Sequence, residues 1–209
     1  MTQLFDRTLT VCIDPANLSG LLALEPTLAM IRAASVDVRW WPLVSPLSRL
    51  SSKQPNESPV DPLAAYKARR ARARERWAER ELERDCRRLG IDPASGRREF
   101  DPRPAAMAML FLGERGGDVP AFLERIYRRG FYEGADIADS REVARLVNDA
   151  AFDDYRPAQD LDALQASLLE AGVFMSPAFI YREEVFQGRQ HLPLLAAYLS
   201  TPAELPAKA

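Results

Sequence analysis

The sequence predicts an α/β fold in which a block of helices separates two groups of strands, and three observations support this. Two short apolar segments, Leu9 to Ile13 and Val36 to Trp41, flank a helical pattern and predict a β-α-β unit. Helical patterns then fill the chain from Tyr66 to residue 171 with no strand between them. Two further segments, Ala178–Tyr181 and Val185–Phe186, enclose a turn and predict a β-hairpin before a last helix.

Individual residues of the predicted β-α-β unit indicate where its first strand ends and where its helix begins. Its first strand ends at Asp14-Pro15, because proline has no N–H to donate to a sheet, and Asn17 is a favourable N-cap for the helix that follows. Pro26 predicts a kink or an early end of that helix. Because a helix joins the two strands, we expect them to be parallel. Four apolar residues predict the buried face of the helix: Leu21, Leu24, Leu28 and Ile31.

Helices dominate the middle of the chain. Residues 43–62 are rich in Ser and Pro and predict a linker. A strongly charged helix follows from Tyr66 to Leu89, where Gly90 is a natural stop, and its mixed charges favour a solvated face. Further helical patterns cover residues 103–115, 118–129, 140–149, 159–171 and 189–199. Asp139 or Ser140 would cap the helix at 140–149.

Composition and charge exclude several classes of protein. With 47% hydrophobic and 28% charged residues among 209, the chain can bury a core and is not typical of a disordered protein. Its net charge of -2 gives no overall cationic field for nucleic acid or an anionic membrane. No apolar run approaches the ~20 residues of a membrane span, and residues 1–7 lack the pattern of a signal peptide. We therefore expect a soluble, cytoplasmic protein that binds neither nucleic acid nor membrane.

Histidine and cysteine are scarce. His191, Cys12 and Cys86 are too few and too far apart for a zinc site built on imidazole and thiolate ligands, so no metal site is expected. The cysteines form no C-x-x-C pair, which favours free thiols over a disulfide between them. Cys12 lies inside the first strand, where a small buried core residue is expected.

Two stretches of the chain resemble the DsbA-like family. Residues 172–180, GVFMSPAFI, followed by 186–192, FQGRQHL, are similar to a family segment that contains a cis proline. Residues 130–139, GFYEGADIAD, are similar to a stretch of the family's helical insert. The resemblance covers roughly residues 8–199 and implies a thioredoxin-like fold with an inserted all-helical domain. It implies a thioredoxin-like domain at 1–62 and 159–209 and a helical insertion domain at 63–158.

One branch of this family resembles the chain further. Residues 81–84, ELER, and 89–91, LGI, are similar to a helix motif of the 2-hydroxychromene-2-carboxylate isomerases and the related kappa-class glutathione transferases. The resemblance implies an isomerase or transferase that uses glutathione, acts on an aromatic small molecule and forms a homodimer. In such a mechanism the glutathione thiolate adds to an unsaturated bond, allows rotation and leaves.

The turn after the first strand departs from the family pattern. Residues 14–17 read Asp-Pro-Ala-Asn, where thiol oxidoreductases have C-x-x-C and the glutathione-using branch has S-P-Y-S. Without a thiolate pair, no dithiol oxidoreductase activity is expected. Asp14 has two interpretations: a general base at the start of a helix, or a residue that only caps that helix. If glutathione binds there, a charged carboxylate at Asp14 would raise the pKa of the glutathione thiol by repulsion.

The resemblance assigns six site residues: the candidate catalytic residues Asp14 and Asn17, and the candidate glutathione-binding residues Ser176, Pro177, Gln190 and His191. Asp14 and Asn17 would lie at the sulfur of glutathione. Ser176, followed by a cis Pro177, would hold the backbone of the cysteinyl residue of glutathione. Gln190 and His191 replace an Asp-Arg pair at the γ-glutamyl end, so the charge pairing there is lost. As a lone histidine, His191 is also typical of a surface or capping residue.

The sequence is also compatible with two other functions. In the first, glutathione is not used and Asp14 is a general base for proton transfer on a small molecule. In the second, the chain is a non-catalytic descendant that keeps the fold for binding. Loss of both the sulfur-contacting Ser and the Asp-Arg pair is what such a descendant would show.

Overall fold

A four-stranded sheet forms the centre of the fold in the computed structural model, which describes residues 8–45, 62–182 and 184–200. The strand order is β2-β1-β3-β4. Strand β1 (Leu9–Ile13) pairs in parallel with β2 (Val38–Pro42) and antiparallel with β3 (Ala178–Tyr181). Strand β4 (Glu184–Gln187) forms a hairpin with β3. The predicted parallel pair and the predicted hairpin are both confirmed, although β2 begins two residues later than predicted.

Helix α1 (Leu18–Ala34) differs from its prediction in two ways. It continues through Pro26, which lies on the exposed side, so the predicted early end is wrong and the alternative of a kink stays a prediction. Of the four residues predicted to form its buried face, only Leu24 is buried. The helix packs against both α5 (Val119–Tyr127) and α8 (Leu192–Ser200), so its buried surface is set by these neighbours. The buried residues of α1 are Gly20, Leu22, Ala23, Leu24, Thr27 and Met30.

Helices α2 (Pro62–Leu89) and α3 (Pro93–Gly96) belong to a separate compact unit, residues 46–99. Gly90 follows α2 with φ +68°, so the predicted glycine stop is confirmed. Asp92 caps α3 through a hydrogen bond from the Ala94 N–H. Most of the predicted linker, residues 46–61, lies outside the described residues.

Three further helices belong with the sheet to the other compact unit, residues 1–45 and 100–209. Helix α4 (Arg103–Glu114) contacts β2, and α5 contacts α1. Helix α6 (Ser140–Val147) contacts α4 and α5 and is capped by Asp139, as predicted. These units divide the chain at different places from the predicted domains, and the boundaries at 62/63 and 158/159 stay a prediction.

The remaining elements complete the sheet-containing unit. A π-helical turn (Arg128–Tyr132) follows α5, and 3-10 turns occupy Ala150–Phe152 and Arg189–His191. Helix α7 (Leu161–Glu170) precedes β3, and α8 ends the described chain. Within the described ranges, no helix is both long enough and apolar enough to cross a membrane.

The core of this unit combines the central strands with the aromatic residues of α5 and the turn after it. Val11 and Phe179 pair across β1 and β3, and neither is exposed. Tyr127 and Phe131 are also buried. Cys12 is buried as predicted, burial raises the pKa of its thiol to about 12, and both cysteines are free thiols.

Candidate functional site

The turn between β1 and α1 is built around Asp14, which is only 2% exposed. Its carboxylate oxygen Oδ1 accepts a hydrogen bond from the Ala16 N–H at 2.8 Å. Asn17 is the N-cap of α1, and its Oδ1 accepts the Gly20 N–H at 2.9 Å, as its sequence position predicts. The carboxylate of Asp14 is therefore directed into the protein and helps to close the turn.

Burial raises the pKa of Asp14 above its ordinary value. Hydrogen bonds from the Ser45 side chain, the Ala16 and Ser45 N–H groups and the Asn17 side chain oppose this effect without cancelling it. Because the charged form is poorly solvated, the Asp14 carboxylate holds a proton more tightly than an exposed aspartate does.

Tyr127 supports this turn from α5. Its buried hydroxyl donates a hydrogen bond to the Asp14 carbonyl oxygen at 2.7 Å. The close approach depends on Gly20, because a Cβ there would overlap both the Tyr127 hydroxyl oxygen and the Asp14 carbonyl oxygen. No local pattern in the sequence indicates this contact, since Tyr127 and Asp14 are 113 positions apart.

The segment before β3 brings Ser176 and Pro177 to the same place. The Ser176–Pro177 peptide bond is cis, which confirms the geometry that the resemblance implied. The Asp14 N–H donates to Ser176 Oγ at 2.8 Å, so the two predicted residues are in direct contact. Within the described ranges, the main-chain N–H and C=O of Ser176 take part in no hydrogen bond. This short length of backbone keeps its capacity to pair with another chain.

Ser45 is a further site residue, which no pattern in the sequence indicates. Three consecutive backbone N–H groups fix the segment that carries it: Leu43 donates to the Ile13 carbonyl at 2.9 Å, Val44 to Gln165 Oε1 at 2.8 Å, and Ser45 to Asp14 Oδ2 at 3.3 Å. Gln165, from α7, also donates to the Pro42 carbonyl at 3.0 Å. Ser45 lies in a Ser- and Pro-rich stretch with no period, so only the fold reveals its position.

Gln190 and His191 lie in the 3-10 turn that follows β4, and both side chains donate to the Gln187 carbonyl oxygen. This region joins the cis-proline segment, because the Gly188 N–H donates to the Pro177 carbonyl at 2.7 Å and Gln187 Oε1 accepts the Phe174 N–H at 3.0 Å. Gly188, at φ +82°, has the Gln190 side chain folded over it. One donor of each predicted residue is therefore engaged within the chain.

The predicted site residues thus fall into two connected groups. Asp14, Asn17 and Ser176 surround the β1–α1 turn, while Gln190 and His191 adjoin Pro177 through the end of β4. Among the described residues, no group of three His, Cys, Asp or Glu side chains is arranged to hold a metal ion. In the described part of the chain, the resulting site offers the unbonded main chain of Ser176, hydroxyl groups and the buried carboxylate of Asp14.

Solved structures share the fold of this chain. The sequence itself matches no protein-family model and no curated protein. A 2-hydroxychromene-2-carboxylate isomerase matches with a TM-score of 0.55 and 14% identity, over 92% of this chain and 94% of that one. The cytosolic disulfide reductase DsbM from Pseudomonas aeruginosa, solved with GSH, matches with a TM-score of 0.56 and 20% identity, over 92% and 96%. The structure of DsbM without GSH matches with a TM-score of 0.56 and 19% identity.

These matches confirm the predicted fold class. Both proteins have the thioredoxin-like, DsbA-like architecture, and the matched regions cover nearly all of this chain. At 14% and 20% identity, the likeness shows the fold and carries no activity with it.

Proposed function

We propose that the chain is a glutathione-dependent isomerase or transferase of the 2-hydroxychromene-2-carboxylate isomerase type, a DsbA-like protein that acts on an aromatic small molecule. The observation that carries this proposal is the main chain of Ser176, whose N–H and C=O form no hydrogen bond with the residues that the structure describes. Ser176 precedes a cis peptide bond and contacts the β1–α1 turn. The structural matches to an isomerase and to a reductase solved with GSH support it.

The residues present fit a cysteinyl peptide such as glutathione. A free backbone N–H and C=O on one residue is the minimal edge to which an extended peptide adds as a strand. This mode of binding tolerates side-chain change, so it does not depend on the lost S-P-Y-S sequence. When bound, glutathione would supply a thiolate nucleophile. The protein would supply the backbone of Ser176 and the polar groups around Asp14.

Gln190 and His191 keep polar atoms that can meet the γ-glutamyl group. His191 Nδ1 donates to the Gln187 carbonyl, so Nε2 is the ring nitrogen that a ligand can reach. Gln190 Nε2 donates one N–H to the same oxygen, which leaves Oε1 as an acceptor and the second N–H as a donor. These groups can hydrogen-bond a γ-glutamyl group, but the Asp-Arg charge pair is absent. We therefore expect weaker binding than charge-assisted pairing would give.

Calorimetric titration with reduced glutathione tests the proposal. The natural protein and Asp14→Ser should both bind saturably, because the backbone of Ser176 is unchanged in the variant. Asp118→Ser is a matched control: Asp118 is an exposed cap of α5, and serine keeps the cap. Absence of binding by the natural protein would overturn the proposal, and binding by Asp14→Ser alone would indicate a cleft adapted to another ligand.

A second candidate is a non-catalytic binding protein, or a glutathione-independent enzyme with Asp14 as general base. The burial of Asp14 favours the first of these, because a carboxylate that is 2% exposed and bonded at both oxygens resembles a structural cap. Calorimetry separates these candidates from the main proposal, since neither requires binding of glutathione.

We also propose a cytoplasmic homodimer that binds neither nucleic acid nor membrane. The name of DsbM describes a cytosolic protein, which supports the location. Light scattering coupled to size-exclusion chromatography measures the oligomeric state directly. A monomer at micromolar concentration would contradict the dimer without affecting the glutathione proposal.

A further inference from the structure

Two residues, Met175 and Ser176, form the span of main chain with which the proposed ligand would pair. The main-chain N–H and C=O groups of both residues form no hydrogen bond with the residues that the structure describes. The span ends at the cis peptide bond before Pro177. Because it has no internal partner in the described part of the chain, its conformation depends on how its two ends are held.

Consecutive residues at the end of β4 hold both ends of this span. Before it, the Phe174 N–H donates to Gln187 Oε1 at 3.0 Å. After it, the Gly188 N–H donates to the Pro177 carbonyl at 2.7 Å. The second bond joins two main-chain groups, whereas the first depends on a side chain. Gln187 is therefore the residue whose side chain fixes the start of the span.

The main chain of Gln187 contacts the other group of candidate ligand-binding residues. Its carbonyl oxygen accepts hydrogen bonds from Gln190 Nε2 at 3.1 Å and from His191 Nδ1 at 2.5 Å. The position of Gln187 is itself set by the sheet, where it pairs with Ala178 of β3. One residue thus contacts, through different atoms, the segment before Ser176 and the two side chains assigned to the γ-glutamyl end.

We propose that Gln187 is a positioning residue for the bound cysteinyl peptide. Its side-chain oxygen holds the chain at Phe174 and so keeps the main chain of Ser176 in place for pairing. This inference rests on the proposed glutathione function. It assigns a role in binding to a residue that acts through the cis-proline segment and not by touching the ligand.

The physical basis of this role is that the span is fixed before the ligand binds. A segment that is already held loses less conformational entropy when a ligand orders it. The hydrogen bond from Phe174 to Gln187 is exposed, so water can replace the lost acceptor when the side chain is changed. Loss of this bond should therefore loosen the span and weaken binding, with little effect on the stability of the folded protein.

Calorimetric titration of Gln187→Met with reduced glutathione tests this role, because methionine keeps the length of the side chain and removes its oxygen. We expect binding about tenfold weaker than in the natural protein, since the ligand must order about one more residue. Gln159→Met is the matched control: the Gln159 side chain forms no hydrogen bond with the described residues, so its affinity should be unchanged. The urea midpoints of the two variants should agree.

Gln187→Glu separates the hydrogen bond from the packing of the side chain. A carboxylate oxygen still accepts the Phe174 N–H, so this variant should bind glutathione as the natural protein does, in salt that screens its added charge. Equal weakening by both substitutions, or unchanged affinity in Gln187→Met, overturns the positioning role and leaves the proposed function standing. Failure of the natural protein to bind glutathione overturns both.

Amide hydrogen exchange in the natural protein tests the same hydrogen bond without a substitution. The Phe174 N–H should exchange more slowly than the N–H groups of Met175 and Ser176, because among these three it alone has an acceptor in the described part of the chain. This protection should be lost in Gln187→Met and kept in Gln187→Glu. A Phe174 N–H that exchanges as fast as its two neighbours in the natural protein overturns the inference.

Discussion

The backbone N–H of Asp14 donates a 2.8 Å hydrogen bond to the hydroxyl oxygen of Ser176, across 162 positions of the sequence. The register of the sheet explains the contact: Cys12 on β1 is opposite Ala178 on β3, so the antiparallel alignment, continued by two residues, brings Asp14 opposite Ser176. The two halves of the fold therefore meet at the site itself. Substitutions here should affect both stability and ligand binding.

Ser176→Ala should destabilise the protein by about 1–3 kcal/mol, because the buried Asp14 N–H then has no acceptor. Urea unfolding measures this change in the free energy of unfolding. Ser200→Ala, at an exposed serine at the end of α8, should stay within about 0.5 kcal/mol of the natural protein. Equal effects of the two substitutions would show that the Asp14–Ser176 bond contributes little.

Tyr127→Phe should cost about 1–3 kcal/mol, since it leaves the Asp14 carbonyl oxygen without its donor in a buried place. Tyr132→Phe makes the same chemical change at a side chain that is 48% exposed, and we expect little effect there. The measurement is again unfolding by urea. A Tyr127→Phe protein as stable as Tyr132→Phe would mean that the hydroxyl does not support the turn.

Gly20→Ala should be more harmful than an ordinary glycine substitution in a helix. The added Cβ would overlap the Tyr127 hydroxyl and the Asp14 carbonyl oxygen, and such overpacking costs about 1–3 kcal/mol. Gly113→Ala, in an exposed and open position of α4, should instead stabilise by about 0.5–1 kcal/mol.

Combining Gly20→Ala with Tyr127→Phe tests the cause of that effect. The double variant should lose less stability than the sum of the two single losses, because the phenylalanine removes one of the two overlapping oxygens. If the two stability losses are strictly additive, the destabilisation by Gly20→Ala does not arise from the contact with Tyr127.

The stability of the natural protein should depend on pH through Asp14. Burial raises the pKa of Asp14 in the folded state, so the folded protein holds the proton at pH values where the unfolded chain has released it. This contribution is fully present below the unfolded pKa and is lost as pH rises through the folded pKa. The free energy of unfolding should therefore fall over that pH range as the Asp14 carboxyl group ionises.

Urea unfolding of the natural protein and Asp14→Asn between pH 4 and pH 7 isolates this contribution. The natural protein should become less stable relative to the variant as pH rises, because the variant has no carboxyl group to titrate. The account is contradicted if the difference in unfolding free energy between the two proteins stays constant as pH rises, or changes in favour of the natural protein. The hydrogen bonds to Asp14 would then offset or outweigh the effect of burial on its pKa.

The strands and helix ends could be predicted from the sequence because local chemistry determines them. Asn17 caps α1 and Gly90 follows α2 at positive φ, each for a reason visible in a few neighbouring residues. The buried face of α1 could not be predicted, because it depends on α5 and α8. The same limit applies to the site: Ser176 was found through the resemblance, whereas Ser45 and Tyr127 reach Asp14 only through tertiary packing.

The most direct test of the central claim is an amide chemical-shift titration of isotope-labelled protein with reduced glutathione. If the cysteinyl backbone pairs with Ser176, the largest changes should occur at Ser176, Asp14 and Ser45, and they should saturate together. Ala121, capped by Asp118 at the start of α5, should remain unchanged. Saturable changes confined to other parts of the chain, or no change at millimolar glutathione, would contradict the proposed site.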